Sequence, residues 1–372
     1  MRVHLFVLII LPLLNGPVRA AENVVLITID GVRWQELFRG LDRPLAEHTD
    51  FSARGEELMT EFWRESAAER RGLIMPFVYG ELTRQGVMVG DRDQGSCARM
   101  SNDWNFSFPG YNEILSGVIN DSLNSNAKVA NPEKTFLELL QANPACEGRA
   151  AAFGSWDVFP YIYNVERSGL PVNTGIASAP ANDFERFLNT LQQDISPHWP
   201  TVRHDAFTHH YALSYLREQQ PRVLHIAYGE PDDFAHDGKY DEYVFASRRV
   251  DGFIEEVWQT LQSLAQYRDN TVLFITVDHG RGEEPIESWQ HHASQRAVEQ
   301  YMTGLAMYDK GIEGSDAIWM AAMGPGVPAR GAVVPDSCLS ADRIAATLMQ
   351  WLGEDYQTYN RAMGAPMKEF MQ

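Results

Sequence analysis

Three short segments concentrate carboxylates and imidazoles in a pattern suited to holding divalent cations. They read Val24-Val25-Leu26-Ile27-Thr28-Ile29-Asp30-Gly31, Glu230-Pro231-Asp232-Asp233-Phe234-Ala235-His236 and Val272-Leu273-Phe274-Ile275-Thr276-Val277-Asp278-His279-Gly280. In the first and third, an apolar and largely β-branched run ends in a carboxylate, or a carboxylate and an imidazole, followed by glycine. A parallel strand buried on both faces delivers ligands at its carboxyl end in this way. Asp278-His279 is the stronger signal, because two ionisable groups at the mouth of a buried strand are costly unless something neutralises them. Asp30 alone reads as readily as a cap. Asp232 and His236 are four residues apart, so one helical turn brings both to one face, a spacing suited to a single divalent ion. His291 and His292 follow a short loop later, after Glu283, Glu284 and Glu287.

A nucleophile for such a centre is offered by Asn105-Phe106-Ser107-Phe108-Pro109-Gly110-Tyr111-Asn112, which places a serine at the start of an apparent helix. Serine in that position is commonly an N-cap. Beside metal ligands it acquires a second reading, since both a helix dipole and a cation would favour its alkoxide.

Positioning these side chains requires a large α/β core. The chain has 372 residues, 44% hydrophobic and 22% charged, ordinary for one globular enzyme domain with room for an insertion. Strands are expected at residues 24–30, 150–153, 223–227, 271–277 and 317–323. Helices are expected over 52–71, after Asn131-Pro132, and over 183–195, 206–218, 243–267 and 341–352. The stretch 96–107 reads as loop. Between about 155 and 205 the pattern degrades, punctuated by Pro160, Pro171, Pro180, Pro197 and Pro200, and reads as a cap or insertion over the site.

The first twenty residues have the form of an export leader: a basic start at Arg2, an apolar run from Leu5 to Leu14 and a small-x-small end at Val18-Arg19-Ala20. We expect cleavage after Ala20. No other stretch approaches the length of a membrane span. Export permits a disulfide, and of Cys97, Cys146 and Cys338 the pair Cys97–Cys146 is preferred, because both lie in the same third of the chain, with three buried thiols as the alternative. The net charge of −19 disfavours nucleic-acid duplexes and anionic membranes as partners. A small anionic substrate stays compatible, because bound cations would dominate the local field.

Taken together and in this order, the motifs resemble those of the alkaline phosphatase superfamily. The resemblance is nearest to its nucleotide pyrophosphatase/phosphodiesterase-like and phosphate-irrepressible alkaline phosphatase-like members, and covers most of the chain from Asn23 to about Gly331. It implies a mostly parallel central sheet with helices on both faces and a site for two divalent ions, zinc first and manganese second. One ion would be held by Asp232, His236 and His292, the other by Asp30, Ser107, Asp278 and His279. Ser107 would be the nucleophile, passing through a phosphoserine, and Asn126 the amide donor to a phosphoryl oxygen. The spacing from Trp289 favours His292 over His291. Ala235 stands where the family commonly has glycine, and serine stands where the phosphodiesterase-like branch usually has threonine. Ser96-Cys97-Ala98-Arg99 does not supply the C/S-x-P-x-R setting of the sulfatase branch.

The resemblance therefore implies an exported, periplasmic or secreted phosphoester hydrolase, phosphatase or phosphodiesterase, acting on a small phosphorylated substrate. A cofactor-independent phosphoglycerate mutase-like phosphotransferase is the alternative within enzymes. It is disfavoured by the leader and by the short gap after the nucleophile. A non-catalytic exported binding protein on the same scaffold would be expected to lack ligands, and every ligand position is filled.

Overall fold

The computed structural model describes residues 21–144, 149–180 and 182–372. The expected leader and Cys146 lie outside the described residues. The strands are β1 (Asn23–Ile29), β2 (Gly86–Val89), β3 (Ala98–Arg99), β4 (Ala150–Gly154), β5 (Val172–Thr174), β6 (Val223–Tyr228), β7 (Thr271–Thr276), β8 (Ala317–Ile318), β9 (Met320–Met323), β10 (Gly331–Ala332) and β11 (Leu339–Ser340). Eight form a central sheet in the order β10-β2-β9-β7-β1-β6-β4-β5, and β11-β3-β8 form a small second sheet.

At the centre of the large sheet, β1 pairs in parallel with β6 on one side, Val24 opposite Val223, and with β7 on the other, Val24 opposite Val272. Every residue of these three strands is buried, as their near-continuous apolar sequences require, and helices flank the sheet. One strand, β9, runs antiparallel to its neighbours β7 and β2. The carboxyl ends of β1, β6 and β7 therefore open side by side at one edge of the molecule, where open α/β sheets place their sites.

Several elements differ from the sequence expectation. The expected strand 317–323 is divided by Trp319, whose carbonyl accepts from Thr276 Oγ1 (2.8 Å) and whose indole Nε1 donates to Val32 O (3.0 Å). Its first half joins the small sheet and its second half the large one. The expected helix 52–71 is two short helices, Gly55–Phe62 and Ala67–Arg70. The stretch 155–205 supplies the edge strand β5 and the helix Asp183–Asp194, and its ends meet in a bridge between Trp156 and Val202.

The expected Cys97–Cys146 disulfide is corrected: Cys97 is bonded to Cys338, with Cα atoms 4.6 Å apart. The cause is strand register. β11 pairs with β3 so that Leu339 faces Ala98, which brings the preceding residues, both cysteines, together across 241 positions of sequence.

Candidate metal centre

Asp30 extends β1 by one ladder bond, its N–H donating to Tyr228 O (2.9 Å). Gly31, at φ +61°, then turns the chain away. Its N–H donates to Asp278 Oδ1 (3.2 Å), and the buried Tyr111 hydroxyl donates to Asp30 Oδ2 (3.0 Å). The other oxygens, Asp30 Oδ1 and Asp278 Oδ2, are buried with no hydrogen-bond partner. Both lie close to His279 Nε2, at 3.2 and 3.5 Å. His279 Nδ1 donates to Gly280 O (3.0 Å), which leaves a lone pair on Nε2. Ser107 Oγ is 3.4 Å from the same nitrogen, at the first position of the helix Ser107–Ser116. Two buried carboxylate oxygens, an imidazole lone pair and a hydroxyl thus converge with no cation of the chain among them.

Beside this group lies a second. Glu230–His236 forms a helix, and His236 Nε2 is 3.3 Å from Asp232 Oδ2. His292 brings its Nε2 to 3.1 Å from His236 Nε2 and stacks its ring on His279, centroids 3.6 Å apart. His292 Nδ1 donates to Asn105 O (3.1 Å), so its Nε2 also presents a lone pair. Asn105 adopts φ +54° to offer that carbonyl, a conformation asparagine tolerates better than most residues. His291 stands aside, its ring 6.2 Å from that of His236. Asp232, His279 and His292 form one set of close ligand atoms, and Asp30, Asp278 and His279 another, each within 4.8 Å. Facing imidazole nitrogens and carboxylate oxygens, unpartnered at Asp30 and Asp278, fit a divalent cation in each set, and the nitrogen-oxygen mixture suits zinc or manganese. Of the residues expected from sequence, Asp30, Ser107, Asp232, His236, Asp278, His279 and His292 all meet here.

The electrostatics agree with that fit. Burial, with the charge of Asp232, pushes the Asp30 carboxyl well up, and burial with the charge of Asp30 does the same to Asp278. Burial also acts to raise Asp232, but the Arg281 guanidinium and the His236 imidazole hold it well below the usual carboxylate range. Burial lowers the pKa of His292 well below its ordinary value.

Sequence reasoning missed four residues of this region. Arg281, fully buried, ion-pairs with Asp232. Tyr111 holds Asp30. Asp205 accepts from Gly229 N (2.8 Å) and Glu230 N (3.1 Å) and so secures the start of the Asp232 helix. Asp233 lines the cavity, its carboxyl pushed up by burial and by neighbouring carboxylates. Arg281, Tyr111 and Asp233 had a signal only by adjacency, to Asp278-His279-Gly280, to Ser107-Phe108-Pro109-Gly110 and to Asp232, and Asp205 had none.

The site opens into a cavity of about 200 Å³. Asp30, Ser107, Asp232, His236 and His292 line it, together with Trp156, Thr201, Val202 and Met302. Asn126 closes it near Ser107: its Oδ1 accepts from Phe108 N (3.0 Å), which directs its amide NH₂ away from the helix end. No lysine or arginine is among the residues lining the cavity. A larger pocket of about 470 Å³ lies beside β5, lined by Phe153, Val172, Pro180 and Tyr215, and contains none of these ligands.

No protein-family model and no curated protein matches this chain. Solved structures do. The wild-type alkaline phosphatase PafA aligns at a TM-score of 0.56 and 10% identity, over 96% of this chain and 100% of that one. A 2-O GAG sulfatase aligns at 0.58 and 13%, over 94% and 74%. A phosphonate monoester hydrolase from Silicibacter pomeroyi aligns at 0.55 and 13%, over 94% and 76%. At these identities the likeness is one of fold.

Proposed function

We propose, from the alkaline phosphatase superfamily fold as premise, that this chain is an exported metal-dependent hydrolase of small phosphoesters with Ser107 as its nucleophile. The observation that carries the reading is the convergence of Asp30 Oδ1, Asp278 Oδ2 and Ser107 Oγ on His279 Nε2, with both carboxylate oxygens buried and without a hydrogen-bond partner. Asp30, Ser107, Asp278 and His279 would hold one ion, and Asp232, His236 and His292 the other. When bound, such ions lower the pKa of a hydroxyl and offset charge on the ester oxygens.

The residues of the chain do the rest. Ser107 Oγ attacks phosphorus, an O–P bond forms to serine, and the bond from phosphorus to the alcohol oxygen breaks, the alcohol leaving with a proton. Water then attacks the phosphoserine and its O–P bond breaks, restoring the hydroxyl. The Asn126 amide is a side-chain donor available to a non-bridging oxygen. With no lysine or arginine among the described residues of the cavity wall, a dianionic monoester finds no ammonium or guanidinium there, so we infer that monoanionic esters, diesters or phosphonate monoesters, are preferred. The small cavity suits a compact substrate.

A sulfate ester is also monoanionic, and the likeness to sulfatase structures favours that second reading. Against it, Ser107-Phe108-Pro109-Gly110-Tyr111 has tyrosine where the C/S-x-P-x-R setting needs arginine, and Tyr111 is occupied with Asp30. Export is supported by the Cys97–Cys338 disulfide, since such bonds persist in oxidising compartments, and no helix among the described residues is long and apolar enough to cross a membrane.

Rates on bis-p-nitrophenyl phosphate, p-nitrophenyl phenylphosphonate, p-nitrophenyl phosphate and p-nitrophenyl sulfate test the reading. We expect the first two to exceed the third, sulfate to be slowest, and chelation to abolish all. Ser107→Ala should lose several orders of magnitude in kcat while keeping its metal. Dominant sulfate hydrolysis would replace the phosphoester assignment, and chelator-insensitive turnover would remove the metal centre.

A further inference from the structure

We propose that Arg281 is the positioning residue of the second ion's site, aligning Asp232 and the His292 loop without touching ion or substrate. The inference rests on the metal-centre reading above and concerns how that centre is held. Arg281 is fully buried, and it is absent from the cavity wall that substrate would meet. Its guanidinium joins three separate segments. Nε donates to Gly31 O (3.2 Å) at the end of β1, and Nη2 to Asp232 O (2.9 Å) and to Asp232 Oδ1. Nη1 donates to Gln290 O (2.7 Å), two residues before His292. A buried guanidinium is tolerated only when its donors are met, and here a planar fork meets acceptors that a lysine ammonium could not span together.

Two consequences follow for the ligands. The guanidinium holds Asp232 Oδ1, which lies 3.7 Å from His279 Nε2 and 3.8 Å from His292 Nε2, while Oδ2 lies 3.3 Å from His236 Nε2, so the carboxylate is fixed in one orientation among the three histidines. The packing also explains Gly31: a Cβ there would lie 2.7 Å from Asp232 Oδ1 and 2.8 Å from Arg281 Nε. Any larger residue would displace the pair.

Two effects of removing Arg281 oppose each other. Loss of a positive charge near the site strengthens cation binding through Coulomb's law. Loss of the hydrogen bonds frees Asp232 and the His292 loop to move, and removing such supporting partners weakens metal affinity, typically by about 10- to 100-fold. A charge-balancing bystander predicts tighter binding in the variant, and a positioning residue predicts weaker binding.

The test titrates the chelator-stripped full chain with zinc alone, in competition with a chromophoric chelator, for wild type, Arg281→Met, Arg281→Lys and Arg281→Ala. We expect wild type to bind two ions. Arg281→Met should keep one at wild-type affinity and bind the other about 10- to 100-fold more weakly. Arg281→Lys, which keeps the charge and loses the fork, should show a smaller loss of the same ion. Guanidinium ion at non-denaturing concentration should restore affinity in Arg281→Ala. Unchanged or tighter binding of both ions in Arg281→Met overturns the proposal. If Arg281→Met lacks the near-ultraviolet circular dichroism of the folded chain, Arg281→Lys decides by the same criterion. Wild type that binds no ion at all overturns the metal reading itself, a result distinct from two ions bound equally well by every variant.

Discussion

At the scale of single residues, the two adjacent histidines separate cleanly. His292 is buried, stacked on His279 and within 3.1 Å of His236, whereas the His291 ring lies outside that stack, 6.2 Å from both His236 and Tyr308. His292→Ala should therefore lower zinc content by about one ion per chain and reduce turnover strongly, while His291→Ala leaves metal content near wild type. Elemental analysis of both variants checks this, and a larger loss in His291→Ala reverses the assignment. The expected ligands were readable because each stands in a local pattern, such as a strand ending in Asp-His-Gly or an Asp and His one turn apart. Arg281 and Asp205 had no such pattern. Their work is defined by acceptors on other segments, and nothing local in sequence reports which carbonyl will lie opposite a side chain.

At the scale of elements, β1, β6 and β7 were readable because strands buried on both faces are apolar throughout. The two- to four-residue strands β2, β3, β10 and β11 were not, being shorter than any hydrophobic period. β6 also carries a polar residue that helps to set its stability. His225 is fully buried between Thr28 Oγ1 (2.9 Å) and the Tyr163 hydroxyl (2.8 Å), and burial lowers its pKa to about 3. The unfolded chain protonates this histidine near 6.5 and the folded chain does not, so its contribution is complete above about pH 6.5 and is lost as pH falls toward 3. Each pH unit below 6.5 should cost about 1.4 kcal/mol from this group. Urea unfolding at pH 7 and pH 5 checks it. His225→Gln should start less stable at pH 7 and lose about 2 kcal/mol less than wild type on acidification. An equal loss in both proteins would mean that other groups carry the acid sensitivity.

At the scale of the whole molecule, the Cys97–Cys338 bond joins segments that the sequence separates by 241 residues and the small sheet sets side by side. Cys338→Ser should lower the unfolding free energy by about 2–4 kcal/mol, through greater freedom of the unfolded chain, and leave the rate constants of the folded enzyme near wild type. Denaturant midpoints with and without a reductant check it: reductant should shift wild type and leave the variant unmoved. Sequence proximity pointed to Cys146 because disulfide partners follow strand register, and register between distant two-residue strands leaves no trace in local composition.

That bond also makes most of the chain a covalent circle. The circle runs from Cys97 to Cys338 and contains Ser107, Asp232, His236, Asp278, His279 and His292, while Asp30 lies outside it, just past the end of β1. A single protease cut anywhere along the circle, in the 155–205 stretch or in the loop around Met307, would open a ring and release nothing. The nicked protein would migrate as one species until reduced. In an oxidising, protease-rich environment the segments that carry the candidate ligands would then survive a first cleavage as one molecule, held in register by the same small sheet that brought the two sulfurs together.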